Sequence, residues 1–219
     1  MSDAVGLGTL LRVDVTVGSD GLARCSWAEG NPDYRPYHDS EWGRPLGDDA
    51  RIYEKLCLEG FQAGLSWLTI LRKREAFRSA FASFDPEAVA AFDDADVERL
   101  LTDPQIVRNR AKISAAISNA RATLALHAKR ISLAGLVWSH RPAGLGAPQG
   151  LAEIPSSTPE STALSKALRA NGFAFVGPTT VYATMQAIGV VNDHVEGCRW
   201  RGIVDEELSR FSIPTAETN

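Results

Sequence analysis

The apolar residues of this chain recur at helical spacing, and this pattern constrains the fold more than any other feature. Tyr53, Leu56, Cys57 and Phe61, for example, follow one another at intervals of one to four residues and fall on one helix face. The same reasoning predicts helices over residues 50–62, 66–82, 86–92, 108–128, 132–138 and 179–189. A further helix should begin at residue 93 or 94. Another should begin at Thr158 or Ser161 and end at 171–172. Because no series of strands alternates with these helices, we expect an all-α fold with short connections.

Two segments interrupt the helical pattern. Residues 24–45 are dense in aromatic side chains but carry prolines and glycines, so we expect a loop packed on the core. Residues 139–159 are rich in Gly, Pro and Ser and indicate an irregular surface loop. Ahead of them, residues 10–17 alternate as a short strand or ordered arm would. We therefore expect an N-terminal extension over 1–23, one main domain over 24–201 and a tail over 202–219.

Composition excludes several classes of protein. The 219 residues suffice for a domain with a sizeable core, and the net charge of −4 argues against a strongly basic nucleic-acid coat, although a local basic face stays open. No apolar run is long enough to span a membrane, and no basic region followed by an apolar block marks an export signal. With an odd count of three cysteines, metal ligation or buried thiols are favoured over disulfides. We expect a cytoplasmic monomer without membrane contact.

One acidic residue stands in an unusual setting. Glu59 lies near the end of the helix over 50–62, just before the Ala63-Gly64 break and close to Trp67. A carboxylate among aromatic rings suits a flat, hydrogen-bonding, even cationic ligand. The alternative is a surface glutamate beside core aromatics.

A second pattern is helix, glycine-bounded hairpin, helix over residues 158–189. Backbone N–H groups at Gly177 and at the following helix start near Thr179 could hold a phosphate. The alternative is an ordinary pair of antiparallel helices. The basic runs over 72–74 and 108–112 are either part of a phosphate-facing surface or solvated helix faces.

Candidate metal ligands occur in two windows at opposite ends of the chain. Cys25 and His38 lie near the start, and His194 and Cys198 near the end, in spacings that resemble zinc half-sites. Two thiolates and two imidazoles would complete a closed tetrahedron and join distant segments. The alternative is two buried cysteines and two surface histidines. Cys57, on an apolar helix face, is expected to be a buried thiol.

Six motifs carry a family resemblance. They are Arg24-Cys25-Ser26-Trp27, Tyr37 to Gly43, Leu58 to Trp67, Ala163 to Leu168, Gly172 to Gly177 and Val191-Asn192-Asp193-His194. In this order they closely resemble the bacterial DNA-3-methyladenine glycosylase I family, from about residue 24 to 198. The resemblance implies an all-α helix-hairpin-helix glycosylase fold, one structural Zn²⁺ at the four ligands named above, and a base pocket of Glu59, Tyr37 and Trp67 with Trp27 and Tyr34 nearby.

The resemblance also implies an activity. The expected reaction is hydrolysis of the N-glycosidic bond of N3-methyladenine in alkylated double-stranded DNA, with release of the free base and without strand cleavage. Asn192 stands where the superfamily's usual catalytic Asp would lie, two residues before His194, so a strong general base is not implied.

Relatives often carry basic residues where this hairpin has Asn171 and Ala174. For the DNA substrate that the resemblance implies, Leu65, at the tip of the Gly64 bend, is either a wedge into the vacated stack of bases or a half-buried core residue. Lys166 is a further candidate DNA contact. The alternative function is a non-enzymatic, zinc-stapled DNA-binding module.

Overall fold

The computed structural model describes residues 14–144 and 146–216, and within them the fold is mainly helical. The strands are β1 (Val15–Val17) and β2 (Ala23–Cys25); the helices are α1 (Ser26–Glu29), α2 (Tyr34–Ser40), α3 (Asp49–Gln62), α4 (Trp67–Ala80), α5 (Pro86–Ala90), α6 (Asp94–Thr102), α7 (Arg110–Ala128), α8 (Leu133–Trp138), α9 (Pro159–Ala170), α10 (Pro178–Ala187) and α11 (Arg199–Arg210). Short 3₁₀ turns lie at Ala82–Phe84 and Leu151–Glu153. In the described residues no helix has the length and apolar character needed to cross a bilayer.

The helix starts follow the capping residues of the sequence. Ser66 caps α4 by accepting a hydrogen bond from the backbone N–H of Thr69, and Asp93 caps α6 in a reciprocal capping box. Of the two alternatives for α9, Thr158 is the cap. Pro178 occupies the first turn of α10, so this helix begins one residue before the predicted Thr179. The predicted helices are therefore confirmed, with shifts of a few residues at their ends.

Two segments differ from expectation, and a third confirms it in part. The aromatic segment predicted as a loop over 24–45 contains α1 and α2; α1 ends before Gly30, and Pro36 lies in the first turn of α2, where its missing N–H costs no helix hydrogen bond. The short strand expected within 10–17 is found at residues 15–17, which pair antiparallel with β2, with Val15 opposite Cys25. The predicted tail contains most of α11, which buries Val204 and Leu208. The boundaries at residues 23 and 201 stay predictions, and residues 1–13 lie outside the described part of the chain.

Helix α3 is the centre of the core. Every residue from Ile52 to Phe61 is buried, including charged ones, and α3 packs against α4, α7, α8 and α10. The ring of Phe61, on α3, contacts those of Phe77 and Phe81 in tilted or edge-to-face arrangements, and the three ring centroids lie 4.5–6.2 Å apart. Gly60 faces the hairpin between α9 and α10, where a Cβ would lie in ordinary contact, 3.4 Å from Cβ of Phe175. Such surroundings fix the carboxyl end of α3, where Glu59 lies.

Candidate functional site

A cavity of about 410 Å³ opens beside the carboxyl end of α3. Its wall includes all of the residues that the resemblance implied for a base pocket: Trp27, Tyr34, Tyr37, Glu59 and Trp67. The remaining lining residues are Trp42, Gln62, Leu151, Ile154, Ala183 and Gln186. Sequence reasoning missed these six, although Gln62, three residues after Glu59 on the same helix, could have been found from helical spacing.

The aromatic side chains form a connected wall. The ring centroids of Tyr37 and Trp67 lie 5.4 Å apart at an interplanar angle of 45°, and Trp27 stands edge-on to Tyr34 at 5.6 Å. The hydroxyl of Tyr34 accepts a hydrogen bond of 3.1 Å from the backbone N–H of Leu68, which ties α2 to the first turn of α4. Nε1 of Trp67 is buried and has no hydrogen-bond partner among the described residues. The wall thus offers flat apolar surface and one unused donor.

Glu59 is the acid of this pocket. Its side chain is 5% exposed, and within the described parts of the chain no group donates a hydrogen bond to its carboxylate. Burial raises the pKa of Glu59 to about 8, opposed only in part by the charge of Lys55. Lys55 is ion-paired to Glu41, which also binds Arg74 at 2.7 Å. Glu59 is therefore mainly protonated at neutral pH in the free protein, and it has hydrogen-bonding capacity left for a ligand.

A second acidic residue near the pocket, Asp193, already has hydrogen-bond partners within the protein. Asp193 accepts hydrogen bonds from the Tyr182 hydroxyl at 2.7 Å and from Nε2 of Gln186 at 2.8 Å. It does not line the cavity, whereas Gln186 does. Asn192 donates to the carbonyl of Arg201 and to Asp205 instead of facing the pocket. Neither residue of this pair is placed as a general base.

The four predicted metal ligands come together in one buried cluster. The ligand atoms of Cys25, His38, His194 and Cys198 all lie within 4.8 Å of one another. Sγ of Cys198 is 3.5 Å from Nδ1 of His194 and 3.6 Å from Nε2 of His38, and Sγ of Cys25 is 3.7 Å from Nδ1 of His194. Bond lengths of about 2.3 Å to sulfur and about 2.0 Å to nitrogen give a tetrahedral S···N edge of about 3.5 Å. The cluster therefore fits a tetrahedral ion.

The surroundings of the cluster also suit a metal. Nδ1 of His38 is 2.8 Å from Oδ1 of Asp39, which leaves Nε2 facing the cluster. Asp39 in turn accepts hydrogen bonds from the buried Arg24 at 2.8–3.0 Å. The hydrogen bond from Cys25, with those from the imidazoles, lowers the pKa of the Cys198 thiol against the opposing effect of burial. Thiolate character is what a metal requires of this ligand.

The candidate DNA contacts lie at two exposed turns. At the end of α3, Gly64 has φ +81°, which favours glycine, and Leu65 is 42% exposed at the tip. Nζ of Lys112 fixes this bend by donating to the carbonyls of Phe61 at 2.9 Å and Ala63 at 2.5 Å. Leu65 is only partly exposed, so the wedge and the half-buried core residue both stay open as predictions.

The other turn is the hairpin between α9 and α10. Asn119 of α7 clamps it by exchanging hydrogen bonds of 2.7 and 3.1 Å with the backbone of Ala174. Gly177 caps α10, while Thr179 and Lys166 are exposed. Gly177 and Thr179 therefore lie where the turn meets α10, whereas Lys166 lies within α9.

The helical fold thus carries a cavity with flat aromatic walls and one buried carboxyl group. A model of the methyladenine glycosylase family matches residues 27–201. DNA-3-methyladenine glycosylase 1 of Escherichia coli (strain K12) is 51% identical over 180 residues, which are 81% of this chain and 96% of that protein. A crystal structure of 3-methyladenine DNA glycosylase I aligns with a TM-score of 0.78 at 50% identity, covering 80% of this chain and 98% of that chain.

A further solved structure, a tyrosine-to-phenylalanine variant of 3-methyladenine DNA glycosylase I in complex with 3-methyladenine, aligns with a TM-score of 0.77 at 35% identity and covers 81% of this chain and 97% of that one. These similarities span nearly the whole length of the known proteins. The chain belongs to the methyladenine glycosylase family.

Proposed function

We propose that this chain is a DNA repair glycosylase that hydrolyses the N-glycosidic bond of N3-methyladenine in alkylated DNA and releases the free base. The observation that carries this function is Glu59, a buried carboxyl in an aromatic pocket with no hydrogen-bond partner among the described residues. Buried polar groups are normally paired, so an unpaired one at a cavity wall points to a ligand. Relatives that align over almost their full length carry this activity in their names, and one holds 3-methyladenine.

Recognition follows from the pocket wall. The extruded base lies against Tyr37 and Trp67, and Glu59 accepts hydrogen bonds from its edge. N3-methylated adenine in DNA is cationic, so an ionised Glu59 binds it more strongly than neutral adenine. The positive base also favours loss of the proton that Glu59 carries in the free protein. Selectivity therefore comes from charge as well as shape.

The chemistry needs little acid–base assistance. As the C1′–N9 bond breaks, its electron pair moves to N9 and neutralises the positive base, which leaves as 3-methyladenine. Water supplies the oxygen that bonds to C1′, and its surplus proton passes to solvent. No lysine is among the described residues that line the pocket, and the buried Lys55 and Lys112 are engaged with Glu41 and with backbone carbonyls. Schiff-base formation and strand cleavage are therefore not expected.

Duplex DNA is held at the two turns. Backbone N–H groups at Gly177 and Thr179 bind a phosphate, with Lys166 adding positive charge beside them. Leu65 enters the stack that the extruded base vacates, supported by the bend at Gly64. The cost of extrusion is lower for a damaged base than for a normal one. We propose that a monomer acts on double-stranded DNA in this way in the cytoplasm.

The metal is a structural zinc ion. Cys25, His38, His194 and Cys198 would hold it, and a closed set of two sulfur and two nitrogen ligands leaves no position for substrate. When bound, the ion contributes folding stability by joining β2 and α2 to the segment before α11. The domain over 24–201 is in this proposal the glycosylase unit.

The decisive experiment measures release of free 3-methyladenine from methylated duplex DNA. We expect release by the metal-replete protein and none from unmethylated duplex. A folded protein that binds duplex DNA but releases no base would contradict the glycosylase function and leave the non-enzymatic DNA-binding module. Intact abasic strands after the reaction would support hydrolysis without strand cleavage, whereas cleaved strands would contradict it.

A further inference from the structure

The β1–β2 hairpin lies against the pocket loop, defined as residues 146–154. Oδ2 of Asp14 accepts a hydrogen bond of 3.0 Å from the backbone N–H of Leu151, at the start of a 3₁₀ turn. The backbone carbonyl of Asp14 accepts another of 2.8 Å from the N–H of Ser26, at the start of α1. Asp14 thus connects the pocket loop to the first helix of the pocket wall.

The fit between this hairpin and the loop is close. A Cβ added at Gly150 would lie 2.4 Å from Oδ2 of Asp14, so only glycine lets the carboxylate reach the N–H of Leu151. Gly150 has an extended backbone at φ −160°, and its conformation alone does not require glycine. Val15 and Leu151 pack on the same apolar cluster as Tyr37. Both polar and apolar contacts hold the loop to the hairpin.

The held turn carries part of the base pocket. Leu151 and Ile154, at its two ends, line the same cavity as Glu59. A further hydrogen bond to the loop, of 2.8 Å, runs from the N–H of Glu196 to the carbonyl of Pro148. The loop is otherwise irregular, so its position depends on such contacts rather than on a long helix.

From these contacts we infer that Asp14 is a positioning residue for the base pocket: it holds Leu151 and Ile154 against the bound base. The family match begins at residue 27, so this contribution comes from a segment outside the matched region. The inference rests on the proposed function, because the wall matters only if the cavity receives the base. The β1–β2 hairpin then contributes to the geometry of the base pocket.

The test compares Asp14→Ala and Asp14→Asn with the parent, with Thr16→Ala as the matched control. Thr16 lies in the same hairpin and is exposed. Alanine removes the acceptor, whereas asparagine keeps an oxygen that can accept from Leu151. The readouts are amide hydrogen exchange at Leu151, the Kd for free 3-methyladenine from tryptophan fluorescence, and kcat and KM for base release.

For Asp14→Ala we expect faster exchange at Leu151 and a Kd and KM raised about three- to tenfold, because one hydrogen bond to a charged acceptor is lost. We expect kcat to change less than KM, since the wall contacts the base before and during bond cleavage alike. Asp14→Asn should recover most of the affinity, and Thr16→Ala should match the parent. Zinc content and urea unfolding identify any variant that is altered globally.

Two results would overturn the inference. Unchanged exchange at Leu151 in Asp14→Ala would show that Asp14 does not hold the loop. Faster exchange with an unchanged Kd and KM would show that the loop does not support the base. If instead the parent neither binds nor releases 3-methyladenine, the proposed function fails and the positioning role fails with it, whereas the exchange data still report whether Asp14 holds the loop.

Discussion

Replacing Glu59 by glutamine tests both the stability and the recognition that we assign to this residue. The ordinary pKa of a glutamate is 4.5, and burial raises that of Glu59 to about 8. A raised pKa means that the ionised form is disfavoured in the folded protein. The contribution of Glu59 to the free energy of unfolding is therefore most favourable below pH 4.5, where Glu59 is protonated in the folded and the unfolded state. This contribution is lost as the pH rises towards 8.

The size of this loss follows from the two pKa values. The interval from 4.5 to about 8 corresponds to about 5 kcal/mol at about 1.4 kcal/mol per pH unit. Glutamine keeps the shape but never ionises. We therefore compare the free energy of unfolding of the Gln variant with that of the parent at each pH. This difference should be about 3–5 kcal/mol more favourable to the Gln variant at pH 9 than at pH 4. Urea unfolding of both proteins at pH 4, 7 and 9 measures this gain.

The glutamine substitution should raise stability at high pH but lower kcat/KM for base release. Because kcat/KM reports the ionisation of the free enzyme, the parent value should rise about tenfold from pH 7 to pH 9 and level off above pH 8. At pH 9 the Gln variant should be roughly ten- to hundredfold slower, since a charge-assisted hydrogen bond is worth about 1.5–3 kcal/mol. The N3-methylated base does not titrate in this range, so the variant should show no such rise. Single-turnover release of 3-methyladenine provides the rates.

Three outcomes would refute this reasoning. A Gln variant as active as the parent at every pH would make Glu59 a bystander or a group that acts while protonated. Parent activity that falls above pH 8 would show that the protonated acid is the working form. Complete loss of release, with free 3-methyladenine still bound at the parental affinity, would instead indicate a catalytic base. In each case zinc content and folding are compared first.

The remaining predictions concern the metal, the hairpin and the bend. Protein purified without added zinc should contain one zinc ion per chain, and full occupancy after Cys25→Ser with Cys198→Ser would contradict the assigned ligands. Gly177→Val should weaken binding of methylated and unmethylated duplexes alike, because phosphate contacts carry no lesion information; unchanged binding by the folded variant would reduce the hairpin to a structural turn. The structure leaves room for this change, since a Cβ at Gly177 meets only Nη2 of Arg169 at 3.7 Å. Lys112→Met should lower the free energy of unfolding by about 2–4 kcal/mol, because two carbonyls at the end of α3 lose their donor; equal stability in urea would show that water replaces the ammonium group.

Local features of this fold were predictable from the sequence. Capping by Ser66, Asp93 and Thr158 depends on hydrogen bonds that reach only two or three residues along the chain. The metal ligands could be recognised because thiols and imidazoles are few and their spacing within each window is short. In both cases the residue type and its immediate neighbours carry the information.

The rest of the site depends on contacts that the sequence does not encode locally. Gln186 and Leu151 line the pocket only because α10 and an irregular loop fold back beside α3. The raised pKa of Glu59 could not be predicted, because it requires knowing that its carboxyl group is buried in the folded protein and only partly compensated by the charge of Lys55. The exposed His127 has its Nε2 2.6 Å from Oδ2 of Asp49, 78 positions earlier in the chain. Such pairings follow from tertiary packing, which spacing patterns do not report.

The cluster of candidate metal ligands and the pocket are built partly from the same residues and helices. Tyr37 and His38 are neighbours on α2, yet Tyr37 lines the cavity and His38 enters the cluster. Trp42 lines the cavity too, and its ring lies 4.6 Å from that of His194, while the ring of Trp27 lies 5.2 Å from that of His38. An ion bound to the two imidazoles would therefore also hold the aromatic wall in place without touching the base. In our proposal, a closed metal site that performs no chemical step still supports the geometry in which Glu59 meets its ligand.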